Sequence, residues 1–323
     1  MRILNTRRLL GVAALVAAAS IALSACSSAD GSTPTASASA AGTFAKSADT
    51  LVFAATPDQA GSDQNYKPIE DYIAKQTGLK VEYFPTSDYT ALIAAMVAGK
   101  ADITTSGGLQ YVMATNKGAD YSPVAAQLNS PNVTKAGYYS EAMANPKSGV
   151  TSVAGFKGKK VCFVDPNSTS GFLFGLYQLQ KAGLDVKSTG TDANGNPQFK
   201  DFTAVFAGAH DKSEQAVAAG QCDAGFAEDT IAEAGSQKGE VKVVGKELVV
   251  GGPFTVSNKL PSDVKDKLTK ALQDASLATV KGSGVTLSDG FAKNYFGVEK
   301  IDKAYYQPLF DLCKNIAAAK CAA

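Results

Sequence analysis

From Leu51 onward, apolar positions fall first in short runs and then at three- and four-residue spacings, the order strand, helix, strand. Leu51-Val52-Phe53-Ala54 ends at Thr56-Pro57 and reads as a buried strand and a turn. Tyr66, Ile69, Tyr72 and Ile73 share one helical face, and Gly78 closes that helix. Val81-Glu82-Tyr83-Phe84 predicts a second strand. Ser87-Asp88-Tyr89 opens a helix carrying Leu92, Ile93, Met96 and Val97, stopped by Gly99, and Ala101-Asp102-Ile103-Thr104 predicts a third strand. A second cycle begins near Tyr138-Tyr139. It places strands at Lys160-Val161-Cys162-Phe163-Val164, Ala204-Val205-Phe206 and residues 222–226, with helices over 172–182 and from His210 to Ala219. Helices over 263–280 and 304–319 end the chain. Alternation of this kind predicts an α/β fold of two lobes, each a mostly parallel sheet flanked by helices, with the ligand cleft between the lobes at the strands' carboxyl ends. Residues 50–137 and 250–323 are assigned to lobe 1 and residues 138–249 to lobe 2.

The N-terminus has a different pattern. Arg7 and Arg8 precede an apolar stretch over residues 9–23, the length of a signal-peptide core and short for a bilayer span. Leu23-Ser24-Ala25-Cys26 resembles the lipobox of bacterial lipoproteins, which implies a signal peptide over 1–25 and lipidation of Cys26. Residues 26–49 are rich in Ser, Ala, Thr and Gly and read as a flexible tether. The expectation is an exported chain, lipid-anchored to the outer face of the cell membrane.

Length and composition narrow the classes. The 323 residues are 45% apolar and 19% charged, which suits about two packed domains. Arg2, Arg7 and Arg8 are the only arginines, a poor endowment for reading nucleic acid. There is one histidine, His210, and no Trp, so a multi-histidine zinc site is excluded and no metal or cofactor is expected. Cys162, Cys222, Cys313 and Cys321 remain after Cys26 is set aside, and four cysteines allow three pairings. Export favours oxidation. The expected pairs are Cys162–Cys222, from two strand-like runs, and Cys313–Cys321, closing a short loop; four reduced, buried thiols are the other reading.

Candidate chemistry gathers where strands give way to helices. Thr104-Thr105-Ser106-Gly107-Gly108, Asn167-Ser168-Thr169-Ser170-Gly171 and the group Ser87, Tyr89 and Thr90 are rich in hydroxyls. Any one alone reads as a helix cap. Three together, with His210 at a fourth helix start, read as an oxyanion cradle, because helix N-termini present unpaired N–H groups and hydroxyls add rotatable donors. Glu228 and Asp229 follow a strand and read either as solvated loop charges or as acceptors. A carboxylate acceptor would reject a fully deprotonated anion and accept one that carries a P–OH.

Asp88-Tyr89-Thr90-Ala91-Leu92-Ile93-Ala94-Ala95-Met96, Asp165-Pro166-Asn167-Ser168-Thr169-Ser170-Gly171, Ala207-Gly208-Ala209-His210-Asp211 and Asp223-Ala224-Gly225 carry a resemblance. The chain resembles the phosphate/phosphite/phosphonate-binding proteins of ABC importers from about Leu51 into the C-terminal helices. That likeness implies a two-lobed periplasmic-binding-protein type II architecture and a monomeric, non-catalytic receptor. Its partners would be a small phosphorus oxyanion and a membrane-bound ABC permease. By position, the resemblance implies ligand contacts from Tyr89, Ser168, Thr169, Ser170 and His210, with Glu228 close by. Ser106 stands where many relatives carry a bulky residue, which implies a roomier or more polar substituent pocket. A receptor for a sulfonate or a thiamine-related compound keeps the same fold. An exported hydrolase would need a Gly-x-Ser-x-Gly elbow before a helix, which the sequence lacks.

Overall fold

The computed structural model describes residues 42–129 and 133–321. The expected signal peptide, Cys26 and most of the expected tether lie outside the described residues. In the first sheet, β1 (Thr50–Ala55), β2 (Lys80–Phe84) and β3 (Ile103–Thr105) alternate with α1 (Ser62–Thr77), α2 (Tyr89–Val97) and α3 (Gly108–Asn116), and β4 (Tyr121–Gln127) follows. The second sheet takes β5 (Tyr138–Ala144), β6 (Lys160–Phe163), β9 (Thr203–Phe206), β10 (Ala224–Glu228) and β11 (Lys242–Val249). Between them in sequence are α4 (Phe174–Lys181), the hairpin of β7 (Ser188–Thr191) and β8 (Pro197–Phe199), α5 (His210–Ala218) and α6 (Asp229–Gln237). The chain then returns through β12 (Pro253–Ser257), α7 (Ser262–Gln273), α8 (Leu277–Gly282), α9 (Asp289–Asn294), β13 (Val298–Lys300) and α10 (Gln307–Asn315). Strand orders are β13-β4-β12-β3-β1-β2 and β11-β5-β10-β6-β9.

All the strands legible in the sequence pair parallel: β1 with β2 and β3, and β6 with β9 and β10. Apart from the β7–β8 hairpin, the antiparallel pairs are made by β4, β5, β11, β12 and β13. Each sheet is therefore mixed rather than mostly parallel, because the strands at which the chain crosses between sheets run against the βαβ units.

Local signals set the element ends. The Asp88 carboxylate accepts the Ala91 N–H at 2.8 Å and caps α2, while Gly78, at φ 75°, ends α1. The long helix expected over 263–280 is two, because the Ser276 hydroxyl accepts the Thr279 N–H and starts α8 afresh. Residues 304–319 are likewise divided, into a 3₁₀ turn at Lys303–Tyr306, α10, and a second 3₁₀ turn at Ala317–Ala319. The helix expected over 172–182 begins with a π-helical turn, Thr169–Leu173.

One apolar cluster packs α2 and α3 of the first lobe and runs on through Phe163, Phe172 and Phe226 beneath the second sheet. Another fills the α1–α7 side of the first sheet, and a third lies under α5 and α6. Disulfides join Cys162 to Cys222 and Cys313 to Cys321, the pairs expected. No helix among the described residues is long and apolar enough to cross a membrane.

The first disulfide closes a separation of 60 residues and the second one of 8. Cross-linking restricts the unfolded chain more when the loop is longer. Replacing Cys162 and Cys222 together by Ala is expected to cost about 4 kcal/mol, and the Cys313/Cys321 pair about 2–3 kcal/mol. Urea denaturation gives both; equal costs would contradict this ordering.

Candidate functional site

Between the lobes lies a cavity of about 180 Å³. From lobe 1 it is lined by Asp58, Tyr66, Tyr89, Ser106 and Gly107, and from lobe 2 by Ser168, Thr169, His210, Glu228 and Asp229. Four helix starts meet it: Gly107 at α3, Ser168 and Thr169 at the turn before α4, His210 at α5, and Asp229 at α6. Neither lysine nor arginine is among the lining residues. An anion placed here would meet backbone amides and neutral donors rather than a cation.

The Asp-Pro-Asn-Ser-Thr-Ser-Gly run is built as a clasp. Asp165 accepts the Asn167 backbone N–H at 2.7 Å and its side-chain amide at 3.0 Å, and that amide also donates to Thr90 Oγ1 across the cleft at 3.0 Å. Ser168 Oγ caps the helix by accepting the Gly171 N–H. Gly171 is obligatory: a Cβ there would lie 2.2 Å from a Val164 methyl. Thr169 Oγ1 accepts the Leu109 N–H at the start of α3, at 2.9 Å, which leaves its own proton free to donate. The His210 N–H reaches the Asp58 carbonyl at 3.0 Å. These three bonds join the lobes directly.

His210 is nearly buried, and its Nδ1 accepts the Glu228 backbone N–H at 3.0 Å. That bond fixes the neutral tautomer with the proton on Nε2, so the ring offers a donor. Burial lowers its pKa to about 4 against the pull of Asp58, Asp211 and Asp229. Burial has the opposite effect on Glu228, whose carboxyl is raised to about 7 while Thr230 Oγ1 donates to it at 3.1 Å. Tyr89 is buried, its hydroxyl faces Ser168 and has no hydrogen-bond partner, and burial holds its pKa well above the usual phenol range. A buried donor in that state has desolvation to recover from a ligand.

Tyr89, Ser106, Ser168, Thr169, His210, Glu228 and Asp229 all reach the cavity, whereas Ser170 is not among its lining residues. The Ser170 carbonyl accepts the Ser140 hydroxyl at 2.7 Å, and its own Oγ is buried without a partner. Asp229 is committed to the scaffold: its carboxylate accepts N–H groups from Tyr139, Asn129 and Thr230. It thereby pins the segment that crosses between the lobes. Thr104 and Thr105 also turn away, bonding to Thr255 and Gln127.

Sequence reasoning missed Gln110, which is buried. Its Oε1 accepts from Thr56 Oγ1 at 2.7 Å and the Gly107 N–H at 3.2 Å, and its Nε2 donates to the Tyr89 carbonyl at 3.4 Å. A Gln three residues after Gly107 occupies the capping-box position, which is the signal that could have found it. Asn65, Tyr66, Phe291 and Asn294 also line the cavity, and nothing local in sequence marks them. Among the described residues no group of three or more His, Cys, Asp or Glu could hold a metal ion.

Two α/β lobes closed over a cavity where their helix N-termini meet have the architecture of a solute-binding protein of the periplasmic type. The chain belongs to the family described as "ABC transporter, phosphonate, periplasmic substrate-binding protein", which matches residues 52–306. Its relatives include the phosphate-import protein PhnD of Mycolicibacterium smegmatis, 35% identical over 84% of this chain and 88% of that one. Among solved structures, PhnD1 of Prochlorococcus marinus in complex with methylphosphonate aligns with TM-score 0.66 and 20% identity, over 84% of this chain and 99% of that one. A binding component of an ABC phosphonate transporter from Pseudomonas aeruginosa also gives TM-score 0.66, at 22% identity over 84% and 87% of the two chains.

Two expectations follow from this geometry. A Cβ on Gly107 would lie 2.5 Å from Thr169 Oγ1. Gly107→Ala should therefore hold the lobes apart and raise the radius of gyration in small-angle scattering, and adding Thr169→Ala should reverse the change. An unchanged radius in Gly107→Ala would contradict the clasp.

The second concerns pH. Glu70 and Glu141, both buried, and half-buried Glu228 are raised to about 7 from 4.5, so the folded state keeps protons that the unfolded chain releases. Their stabilisation is lost as pH rises through that window. His210, lowered from 6.5 to about 4, contributes the reverse, a gain as pH rises over its own window. The carboxyls outnumber it, so Tm should be higher near about pH 5 than near about pH 8. A higher Tm at the alkaline end would contradict the assignment.

Proposed function

We propose that this chain captures a phosphorus oxyanion (phosphonate, phosphite or phosphate) and delivers it to an ABC-type importer. The observation that carries this reading is the pairing of neutral donors with an acceptor in one cavity. Ser168, Thr169, Tyr89 and His210 Nε2 supply donors, and Glu228 supplies a carboxyl with a pKa near 7. A phosphonate or phosphate monoanion brings a P–OH that such a carboxylate accepts. Sulfate and sulfonates have no proton to offer near neutrality, so Glu228 must keep its own, which disfavours them above its pKa. The names of the relatives, in phosphate import and methylphosphonate binding, support the same class.

Binding without turnover is part of this reading. Among the described residues, His210 Nδ1 is occupied by the Glu228 backbone N–H rather than by the hydroxyl of a nucleophile. Closure accompanies capture, because ligand contacts from both lobes add to the Asn167–Thr90, Thr169–Leu109 and His210–Asp58 bonds and favour the closed state. We place the two lobes at residues 50–137 with 250–323 and at 138–249, the monomer acting alone. The anchor is a lipid on Cys26 at the outer face of the membrane.

Calorimetric titration with phosphite, phosphate, methylphosphonate, 2-aminoethylphosphonate and sulfate tests the ligand class. Micromolar or tighter binding to one phosphorus compound, with sulfate silent, is expected; silence across the panel would remove the assignment. His210→Ala and Thr169→Ala should each weaken binding at least roughly tenfold, about 1.4 kcal/mol. Unchanged affinity in both variants would place the ligand elsewhere.

A further inference from the structure

The chain crosses between its two sheets twice, from β4 to β5 and from β11 to β12. The crossings touch each other backbone to backbone. A Cβ on Gly251 would lie 2.8 Å from the Ala136 Cβ and 2.9 Å from the Gln127 carbonyl oxygen, and one on Gly137 would lie 3.1 Å from the Val249 carbonyl oxygen. Side chains from the last part of the chain bind the peptide groups there. The Ala136 N–H donates to Glu299 Oε2 at 2.7 Å, and the Ala136 carbonyl accepts the Tyr305 hydroxyl at 2.7 Å. The same hydroxyl accepts the Gly251 N–H at 2.9 Å, while the Gly251 carbonyl accepts the buried Tyr306 hydroxyl at 2.8 Å. Tyr305 thus donates its one proton to the first crossing and accepts from the second.

Beyond these bonds each crossing passes directly into the second sheet. Tyr138 and Val249 are cross-strand partners at the end of the β5–β11 ladder, and the Tyr139 N–H is held by Asp229 of α6 at 3.1 Å. One residue per crossing therefore separates a peptide group bound on the lobe 1 side from a residue of the lobe 2 ladder. It is Gly137 in the first crossing and Val250 in the second. The Asn129 side-chain amide, which donates to Asp229 at 3.0 Å, spans this gap. On the lobe 1 side, the Tyr306 ring packs on Tyr111 with centroids 5.2 Å apart and lies 3.3 Å from where a Gly108 Cβ would be. The bound crossings are thereby joined to α3, whose N-cap Gly107 lines the cavity.

We propose that Glu299 and Tyr305 are positioning residues that clamp the two crossings and confine rotation of the lobes to Gly137 and Val250. The inference rests on the reading of closure given above. With the clamp in place, opening is a rotation about one residue in each of two adjacent crossings, and closing returns Thr169 to the Leu109 N–H. Without it, the backbone at Ala136 and Gly251 is also released, beside a glycine in each crossing. That added freedom favours the open state, in which the lobes are not yet held against each other. Neither Glu299 nor Tyr305 lines the cavity, so both act on a ligand only through the arrangement of the lobes.

Small-angle scattering of the ligand-free chain tests the clamp whichever compound the cleft takes. Tyr305→Phe and Glu299→Ala should each raise the radius of gyration above the wild-type value while far-UV circular dichroism stays unchanged. Glu299→Gln should match wild type, because its amide oxygen still accepts the Ala136 N–H and the lost pair with Lys135, 86% exposed, is worth little. With methylphosphonate as the probe, Tyr305→Phe and Glu299→Ala should release it at least roughly fivefold faster, with association within about twofold of wild type. A wild-type radius in both disruptive variants would overturn the proposal, as would equal opening by Glu299→Gln and Glu299→Ala. Failure of the wild-type chain to bind methylphosphonate would count against the ligand reading alone, since the scattering comparison decides the clamp without it.

Discussion

The constraint on which the rest depends is that an anion must be held where no cation is available. Lysine and arginine are absent from the cavity lining, and the one histidine is kept neutral by burial and by a backbone N–H on Nδ1. In the proposed reading, attraction comes from the amides at helix starts and from oriented hydroxyls, which are worth more in a dry site than in water. Without an opposing full charge, a neighbouring carboxyl becomes a means of selection. In the reading proposed above, Glu228, with its carboxyl raised to about 7, shares one proton with the bound oxyanion. This converts a difference of one hydrogen atom between candidate ligands into a difference in affinity.

The clasp and the tied crossover segments follow from the same placement. Residues that line the cavity, or sit beside it, also join the lobes, so Thr169 both accepts from Leu109 and keeps a proton to donate. Gly107 permits that approach by having no side chain. Behind the cavity the crossover segments are tied down. Asp229 holds Asn129 and Tyr139, while the Tyr305 hydroxyl accepts the Gly251 N–H and donates to the Ala136 carbonyl. The Tyr306 hydroxyl donates to the Gly251 carbonyl. A stiff frame at the crossings and a few bonds at the mouth are the conditions for opening and closing by rigid lobes.

The parallel core was legible in the sequence because β1, β6 and β10 are short, mostly buried apolar runs, Gly78 ends α1 and Asp88 caps the start of α2. The antiparallel strands were hidden for particular reasons. β4 contains Pro123, and β11 is an edge strand with mostly exposed or half-buried positions broken by a bulge at Val244. α3 is buried nearly all round, so it shows no polar face to reveal its period. In the site, the hydroxyl-rich junctions were visible but their directions were not. Thr104 and Thr105 alternate into the first sheet's interior contacts, and Asp229 turns to the crossover. Phe291 and Asn294 reach the cavity only because α9 packs against the start of α1, where Gly290 meets Asn65. That contact spans more than two hundred residues of sequence.

The central claim, that one proton is shared between Glu228 and the ligand, is tested most directly by the affinity for methylphosphonate between pH 7 and pH 10. With the carboxylate and the phosphonate both ionised, binding must take up a proton. Wild-type affinity should then fall about tenfold per pH unit at the alkaline end, and Glu228→Gln should flatten the profile. An affinity that stays level across that range in the wild-type protein would contradict the account.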